Sequence, residues 1–463
     1  MAVLGTSIRG RVGRSPSALQ NASMIALSMK GFILSTHCTF MSLLNKHREW
    51  YKLDNAARIF PAVVTSRMTT VYRLAVVLRE AVDKPRLQAS VEAVAARFPY
   101  YQVHLKYGLF WNYFEEQDNL PLVQDERLCP CRVPRRSKDR RLLYRILVYG
   151  NRISVEFSHT LTDGSGALSY MQTLLAHYLG TEQWDGLLKP GETPDPEEDE
   201  DSYQRYFQQD IPPAEPLSKA FHISGMLLPP ATHHITTGVL PVAELKAAAK
   251  AKQVSITEWL AAVLLMVLQE AMMTQPRSTW KPIRLMIPVN LRPKYPSATM
   301  RNFFLTLLPE VDARLGRYDF DECLKSVYHF MRSMNDPKFI NRHLTRNVAQ
   351  ERTPYTRFAP LCCKLPVGRL IYNHLSTGQH SGVLTNLGLV RMPEDVAQAI
   401  DRFTFIANPN PITRINTGVI AFGDQVAVTF GSLISEKAIE QRFFAFLRTS
   451  GIPVKLETNY RWS

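Results

Sequence analysis

"VEFSHTLTDGSGALSY" (155–170) decides how this chain is read. An alternating stretch, "RISVEF" (152–157), runs through Ser158 into His159, and Asp163 and Gly164 follow. Ile153, Val155, Phe157 and His159 share parity along the strand, so His159 falls on the face that the apolar residues bury. Beyond Gly164, the positions Leu168, Met171, Leu175 and Tyr178 recur on one side of a helix, which Gly180 stops. A string of the form HxxxDG arises by chance in roughly 4% of chains of this composition, so the strand–turn–helix context carries more weight than the string. Three chemistries suit the imidazole. It is a hydrogen-bonded core residue, a metal ligand with Asp163, or a general base titrating near neutrality. No HExxH or His-rich companion supports the metal. In the general-base reading Asp163 is a structural acid across a turn, and a buried carboxylate there requires a cation.

Working outward, "RLLYRILVY" (141–149), a Gly150-Asn151 turn and "RISVEF" read as a hairpin. "KPRLQASVEAVAARFPYY" (84–101) reads as a helix with Leu87, Val91, Val94 and Phe98 on one face, ended by Pro99. "YGLFWNYFEE" (107–116) is aromatic-rich and strand-like. "GETPDPEEDEDS" (191–202) holds seven acids and two prolines in twelve residues. Such a run repels itself, and a solvated linker over 191–220 is expected. A second half starts near Phe221. Strands are expected at 233–240, 283–292, 303–311 and 382–390, and a hairpin over 417–431 turning at Gly423-Asp424. Helices are expected at 241–253, 255–273, about 319–335 and about 436–449. Strands and helices mix in both halves without strict βαβ alternation, so the fold class is mixed α/β, with α+β character. The expected organisation is an N-terminal extension over 1–40, one subdomain over 41–200, the acidic linker over 191–220 and a second subdomain over 221–463.

The chain has 463 residues, 45% hydrophobic and 21% charged, the balance of a globular protein with a sizeable core. The formal net charge of +14 suits anionic partners such as phosphorylated cofactors, lipid or nucleic acid. No nucleic-acid recognition motif accompanies it, so no specific nucleic-acid partner is expected. Residues 1–48 carry six Lys or Arg and no acid. They read either as a targeting leader or, since "MIALSMKGFILS" (24–35) is broken by Lys30, as a disordered or extra tail ahead of Met41. The six cysteines lack zinc-site spacing and read as reduced thiols of a cytoplasmic protein, with no metal expected. The longest strongly apolar run, "WLAAVLLMVL" (259–268), is too short to cross a membrane and reads as a buried helix.

His159-Thr160-Leu161-Thr162-Asp163-Gly164 resembles the HxxxDG motif of the chloramphenicol acetyltransferase-like superfamily. The resemblance continues in order along the chain. "VEAVAARFPYYQVHL" (91–105) and "LFWNYFE" (109–115) look like that family's early helix and strands, and "ITEWLAAVLLMVLQ" (256–269) like its second apolar helix. "IPVNLRP" (287–293) with "MRNFF" (300–304) resembles its PVNLR and GN block, and "GVLTNLGLV" its late SNLG strand. Together these span most of 45–460, with alcohol acetyltransferase-type proteins the nearest branch.

What the resemblance implies is specific. The fold would be two chloramphenicol acetyltransferase-like subdomains of mixed sheets flanked by helices, with the active site in a tunnel between them. His159 would deprotonate an acceptor hydroxyl for attack on a thioester carbonyl. Asp163 would be structural, pairing with Arg292, which supplies the cation that a buried Asp163 requires. Gly164 and Asn302 would order the site, and Thr385 or Asn386 would contact the donor or the oxyanion. No cofactor would be bound. Acyl-CoA would be a co-substrate, with an alcohol or lipid acceptor, and the chain would act as a monomer. An acyl-carrier protein as donor, or a non-catalytic member of the fold, are the alternatives. Two departures stand out. Ser158 occupies the place of the second His of condensation domains, and Arg301 replaces the glycine before Asn302.

Overall fold

A computed structural model describes residues 49–127, 129–132, 142–209, 211–212, 217–334, 336–371 and 377–460. The expected extension over 1–40, with Cys38, lies outside the described residues. Trp50–Ser463 forms one compact unit.

Two main sheets carry the architecture. The first has five strands in the order Ile400–Ile406, Val71–Leu78, Arg152–Ser158, Tyr144–Tyr149 and Val123–Asp125. Its second strand, "VYRLAVVL" (71–78), is buried along almost its whole length, the mark of a strand covered on both faces. The hairpin expected around Gly150-Asn151 pairs Tyr149 with Arg152 and Tyr144 with Phe157. One face of this sheet packs Ile153, Val155 and Phe157 against helix Gly164–Leu179 and helix Lys84–Ala95. On the other face Glu156 is fully buried and bound by Arg73 at 2.6 Å and by Arg145. The edge strand Ile400–Ile406 comes from the second half of the chain and pairs antiparallel with Val71–Leu78, so it crosses the expected division between the halves.

The second sheet has eight strands, and helix Ile256–Met273 packs in the core beneath it. That helix starts at a capping box. Ser255 receives the Glu258 amide at 3.2 Å and Glu258 receives the Ser255 amide at 2.7 Å. Its 18 residues match the helix expected over 255–273, and by length and composition it could cross a membrane. It packs instead against helix Phe320–Met334 and helix Ala438–Thr449, through Trp259, Phe320 and Phe446. The segment "FFLTLLPEV" makes two strands, Phe304–Leu307 and Glu310–Val311, both antiparallel to Ile283–Asn290. A small third sheet joins Trp50–Lys52, Asn112–Glu116 and Val103–Tyr107.

Two expectations are corrected. "YGLFWNYFEE" is not one strand. Its first residue ends Val103–Tyr107, Gly108 turns the chain by donating to the Trp111 carbonyl at 3.1 Å, and Asn112–Glu116 returns. The acidic run is not a solvated linker either. Glu198 is 3% exposed and takes a bidentate pair from Arg97 at 2.6 and 2.7 Å, with the Tyr100 hydroxyl at 2.7 Å. Asp199 accepts from Arg301 at 2.6 Å. Self-repulsion is overcome because buried arginines stand opposite the run.

Candidate active site

The motif turn is built by the strand that precedes it. His159 donates its amide to the Thr70 carbonyl at 2.8 Å, the last rung beside strand Val71–Leu78, and Leu161 donates back to Ser158 at 2.8 Å. The imidazole therefore leaves the sheet at its end, on the Phe157 face. It stands between aromatic rings, with Tyr72 at 4.5 Å, Phe60 stacked at 5.3 Å and Phe304 at 6.3 Å between centroids. Burial among them pushes the imidazole down to about 4, against the opposite pull of the Asp163 charge and the Asn302 side chain. The residue is only half-buried by surface area, yet Nδ1 is fully covered and has no partner at hydrogen-bond geometry. Its exposed part is therefore away from Nδ1.

Asp163 caps helix Gly164–Leu179. Oδ1 accepts the Ser165 and Gly166 amides, both at 3.0 Å. Oδ2 accepts Arg292 Nη1 at 2.9 Å and the Phe303 amide at 2.8 Å. Four donors occupy both oxygens, so Asp163 is a clamp. The Arg292 guanidinium also donates to the Thr299 carbonyl at 2.9 Å and the Arg301 carbonyl at 2.7 Å, gripping the turn that leads to Asn302. The pairing of Asp163 with Arg292 thus fastens a helix of the first half to the second.

Residues 299–303 form a strap over the motif. Asn302 Nδ2 donates to the His159 carbonyl at 2.9 Å and to Asp54 at 2.9 Å. Thr162 and Tyr101 donate to the Met300 carbonyl at 2.6 and 3.0 Å. Arg301, fully buried, holds Asp199, reaches the Leu161 carbonyl at 3.4 Å and lies 4.6 Å over the Phe114 ring. The glycine that this crowding demands is Gly166. A Cβ there would come within 2.3 Å of Thr162 Oγ1 and 2.5 Å of the Met300 carbonyl oxygen. A Cβ on Gly164 would meet only the mobile end of Leu387.

Thr385 and Asn386 lie on strand Gly382–Val390, which parallels Ile415–Phe422 and breaks register between Asn386 and Leu389. Asn386 holds this bulge. Its Oδ1 takes the Gly388 amide at 2.8 Å and its Nδ2 donates to Thr257 at 2.9 Å. The bulge brings Leu387 against Gly164. Asn386 is committed to the bulge and to helix Ile256–Met273, and among the described residues no hydrogen bond joins it or Thr385 to His159.

Sequence reasoning missed Asp54 and Phe60. Asp54 is buried, and burial with the nearby Asp201 charge raises its carboxyl to about 7. Through Asn302 Nδ2, which it shares with the His159 carbonyl, it is tied to the motif's backbone. Both lie in "LDNAARIFP" (53–61), which has no periodicity to flag it. Among the described residues no group of three or more His, Cys, Asp or Glu is placed to hold a metal. A cavity of about 260 Å³ lined by Asp401, Arg402, Asp424 and Lys455 lies at the opposite end of the sheet from His159.

No family model matches the sequence, and a search of curated proteins finds no match. Solved structures do match. F. graminearum TRI101, complexed with coenzyme A and deoxynivalenol, superposes with a TM-score of 0.59 at 11% identity, over 88% of this chain and 99% of that one. The TRI3 trichothecene 15-O-acetyltransferase from Fusarium sporotrichioides gives 0.56 at 11% identity, over 87% and 94%. The condensation domain of the monacolin K polyketide synthase MokA gives 0.54 at 10% identity, over 87% and 96%. Likeness of this extent at such low identity is likeness of fold, and the chain has the two-sheet mixed α/β fold that these acetyltransferases and the condensation domain share.

Proposed function

We propose that the chain moves an acyl group from a thioester, in the first instance acyl-CoA, to an alcohol hydroxyl, with His159 as general base. One observation carries the reading. The imidazole is kept neutral by burial, its Nδ1 is sealed, and its backbone is held by Asn302 from the other half. A neutral imidazole offering one nitrogen is what removal of a hydroxyl proton requires. Nε2 takes the proton as the acceptor oxygen attacks the thioester carbonyl. The C–S bond then breaks, and the leaving thiolate recovers the proton from Nε2. Asp163 takes no part in the transfer, because both its oxygens are filled. Support for coenzyme A as the carrier comes from the TRI101 neighbour, which is complexed with it. The condensation-domain neighbour favours a second reading, with the acyl group delivered on a carrier protein.

The test is acceptor-dependent release of free thiol from acetyl-CoA and longer acyl-CoAs, with a panel of alcohols and amines. His159→Ala is expected to lower turnover by about 10²–10⁴, the usual worth of general-base catalysis, while the melting curve holds. Full activity in the variant removes His159 from the chemistry. No release with any acyl-CoA, but release from an acylated carrier protein, moves the assignment to the second reading. No release from either donor leaves a non-catalytic member of the fold.

A further inference from the structure

Helix Leu361–Ile371 is apolar on both sides. Leu361, Leu365 and Gly368 turn toward the body of the protein, while Val367 and Leu370 are more than half exposed beside Cys362, Cys363 and Pro366. An amphipathic helix on a globular protein turns polar residues to that outer side. The preceding helix, Pro354–Phe358, adds Tyr355, 90% exposed, and Phe358. The hairpin tip at 107–111 joins them. Leu361 donates its amide to the Leu109 carbonyl at 2.8 Å, and Lys364 donates to the Phe110 carbonyl at 2.7 Å. Leu109 is itself 70% exposed. A contiguous apolar patch of this kind marks an interaction surface.

Charge and shape select the partner. From Pro337 to Ile371 the chain has seven Lys or Arg and one acid, Glu351, which is taken by Arg58. Arg357 and Arg369 are exposed among the apolar side chains. The side chains also protrude. A tyrosine nine-tenths exposed stands clear of its neighbours rather than lining a pocket, whereas protein partners are gripped in packed pockets. Projecting aromatic and aliphatic groups ringed by Lys and Arg suit the boundary between anionic headgroups and acyl chains.

The patch also adjoins the site. A Cβ on Gly368 would stand 3.4 Å from Ile59 Cδ1, and the next residue, Phe60, stacks on His159. We propose that the exposed face of Pro354–Leu370 and the 107–111 hairpin tip dock on an anionic lipid bilayer, with helix Leu361–Ile371, Ile59 and Phe60 between the contact and the His159 imidazole. Under the acyltransferase reading, on which this part rests, the acceptor is an alcohol dissolved in that bilayer.

The experiment is co-sedimentation of the full chain with vesicles of phosphatidylcholine alone and of phosphatidylcholine with phosphatidylglycerol. Binding to the anionic vesicles is expected. The triple variant Tyr355→Asp, Phe358→Asp, Leu370→Asp should weaken it by about tenfold or more, since three buried side chains are lost from the contact. All three residues are exposed, so its melting temperature should match that of the wild type. No binding to either vesicle overturns the proposal, and so does full binding by the triple variant, which would leave only diffuse charge attraction. A wild-type dimer that the triple variant splits, with no vesicle binding, assigns the face to a second copy of the chain. Sedimentation reads no turnover, so it stands or falls separately from the acyltransferase assignment.

Discussion

At the scale of single residues the site turns on a conflict between solvation and proximity. Asp163 and Asn302 favour a protonated His159, and burial against Phe60, Tyr72 and Phe304 opposes them and wins. The base must be neutral to accept a proton, so activity falls as pH drops through its pKa. The acid limb of kcat/KM is therefore expected near pH 4 rather than at the 6.5 of a solvated imidazole. A limb at 6.5 would mean that water reaches the ring. Phe60→Ala opens one wall and should move the limb upward. His159, Asp163 and Gly164 were legible in the sequence because they are local to one turn; a buried acid demands a cation, but only the family resemblance of "IPVNLRP" singled out Arg292. Asp54 was not, since nothing about an isolated Asp in "KLDNAA" tells of burial. The sequence also drew attention to Gly164, whereas Gly166 bears the close approach. That contact is with Met300, a residue far away in the chain.

At the scale of elements, the acidic run shows how composition misleads. Seven acids in twelve residues argue for water, yet Glu198 is enclosed and matched by Arg97, while its neighbour Glu197 stays at the surface with Arg205 at 2.8 Å. The two positions should separate cleanly. Glu198→Ala leaves Arg97 buried without a counter-charge and should cost about 3–5 kcal/mol in urea unfolding. Glu197→Ala removes an exposed pair and should cost about 0–1 kcal/mol. Equal costs would return the run to the status of a tether. Patterned elements were legible in advance, including the Gly150 hairpin, helix Ile256–Met273 and the Gly423 hairpin. Helix Pro337–Arg352 was not read, although Ile340, Leu344 and Val348 repeat every four residues and form its buried stripe. Its many basic residues hide a narrow apolar face. The short strands Trp50–Lys52 and Val123–Asp125 carry too few residues to show a period.

At the scale of the whole molecule, both halves close on each other twice. The strap 299–303 reaches back to the motif, and strand Ile400–Ile406 reaches back to Val71–Leu78. A fragment covering 49–209 lacks both and exposes the backbone edge of its most apolar strand. Expressed alone, it should aggregate or lack the near-ultraviolet dichroism of packed aromatics, and a soluble fragment with that signal would contradict this. The mixed α/β class was legible because it depends on the sum of many local patterns. The exchange of a strand between halves was not, because "IDRFTFI" reads as a strand wherever it lies and its partner depends on the complete chain.

The returning strand also sets an order of events at the ribosome. Val71–Leu78 emerges early, and the strand that covers its edge follows roughly 300 residues later, which at about 5–20 residues per second leaves that edge uncovered for on the order of 15–60 s. During that interval the growing chain offers a long apolar strand edge to any passing neighbour. A cell making this protein has to shield the nascent first sheet, and its yield should respond more sharply to chaperone supply and to slowed translation between the two strands than to the stability of the finished fold.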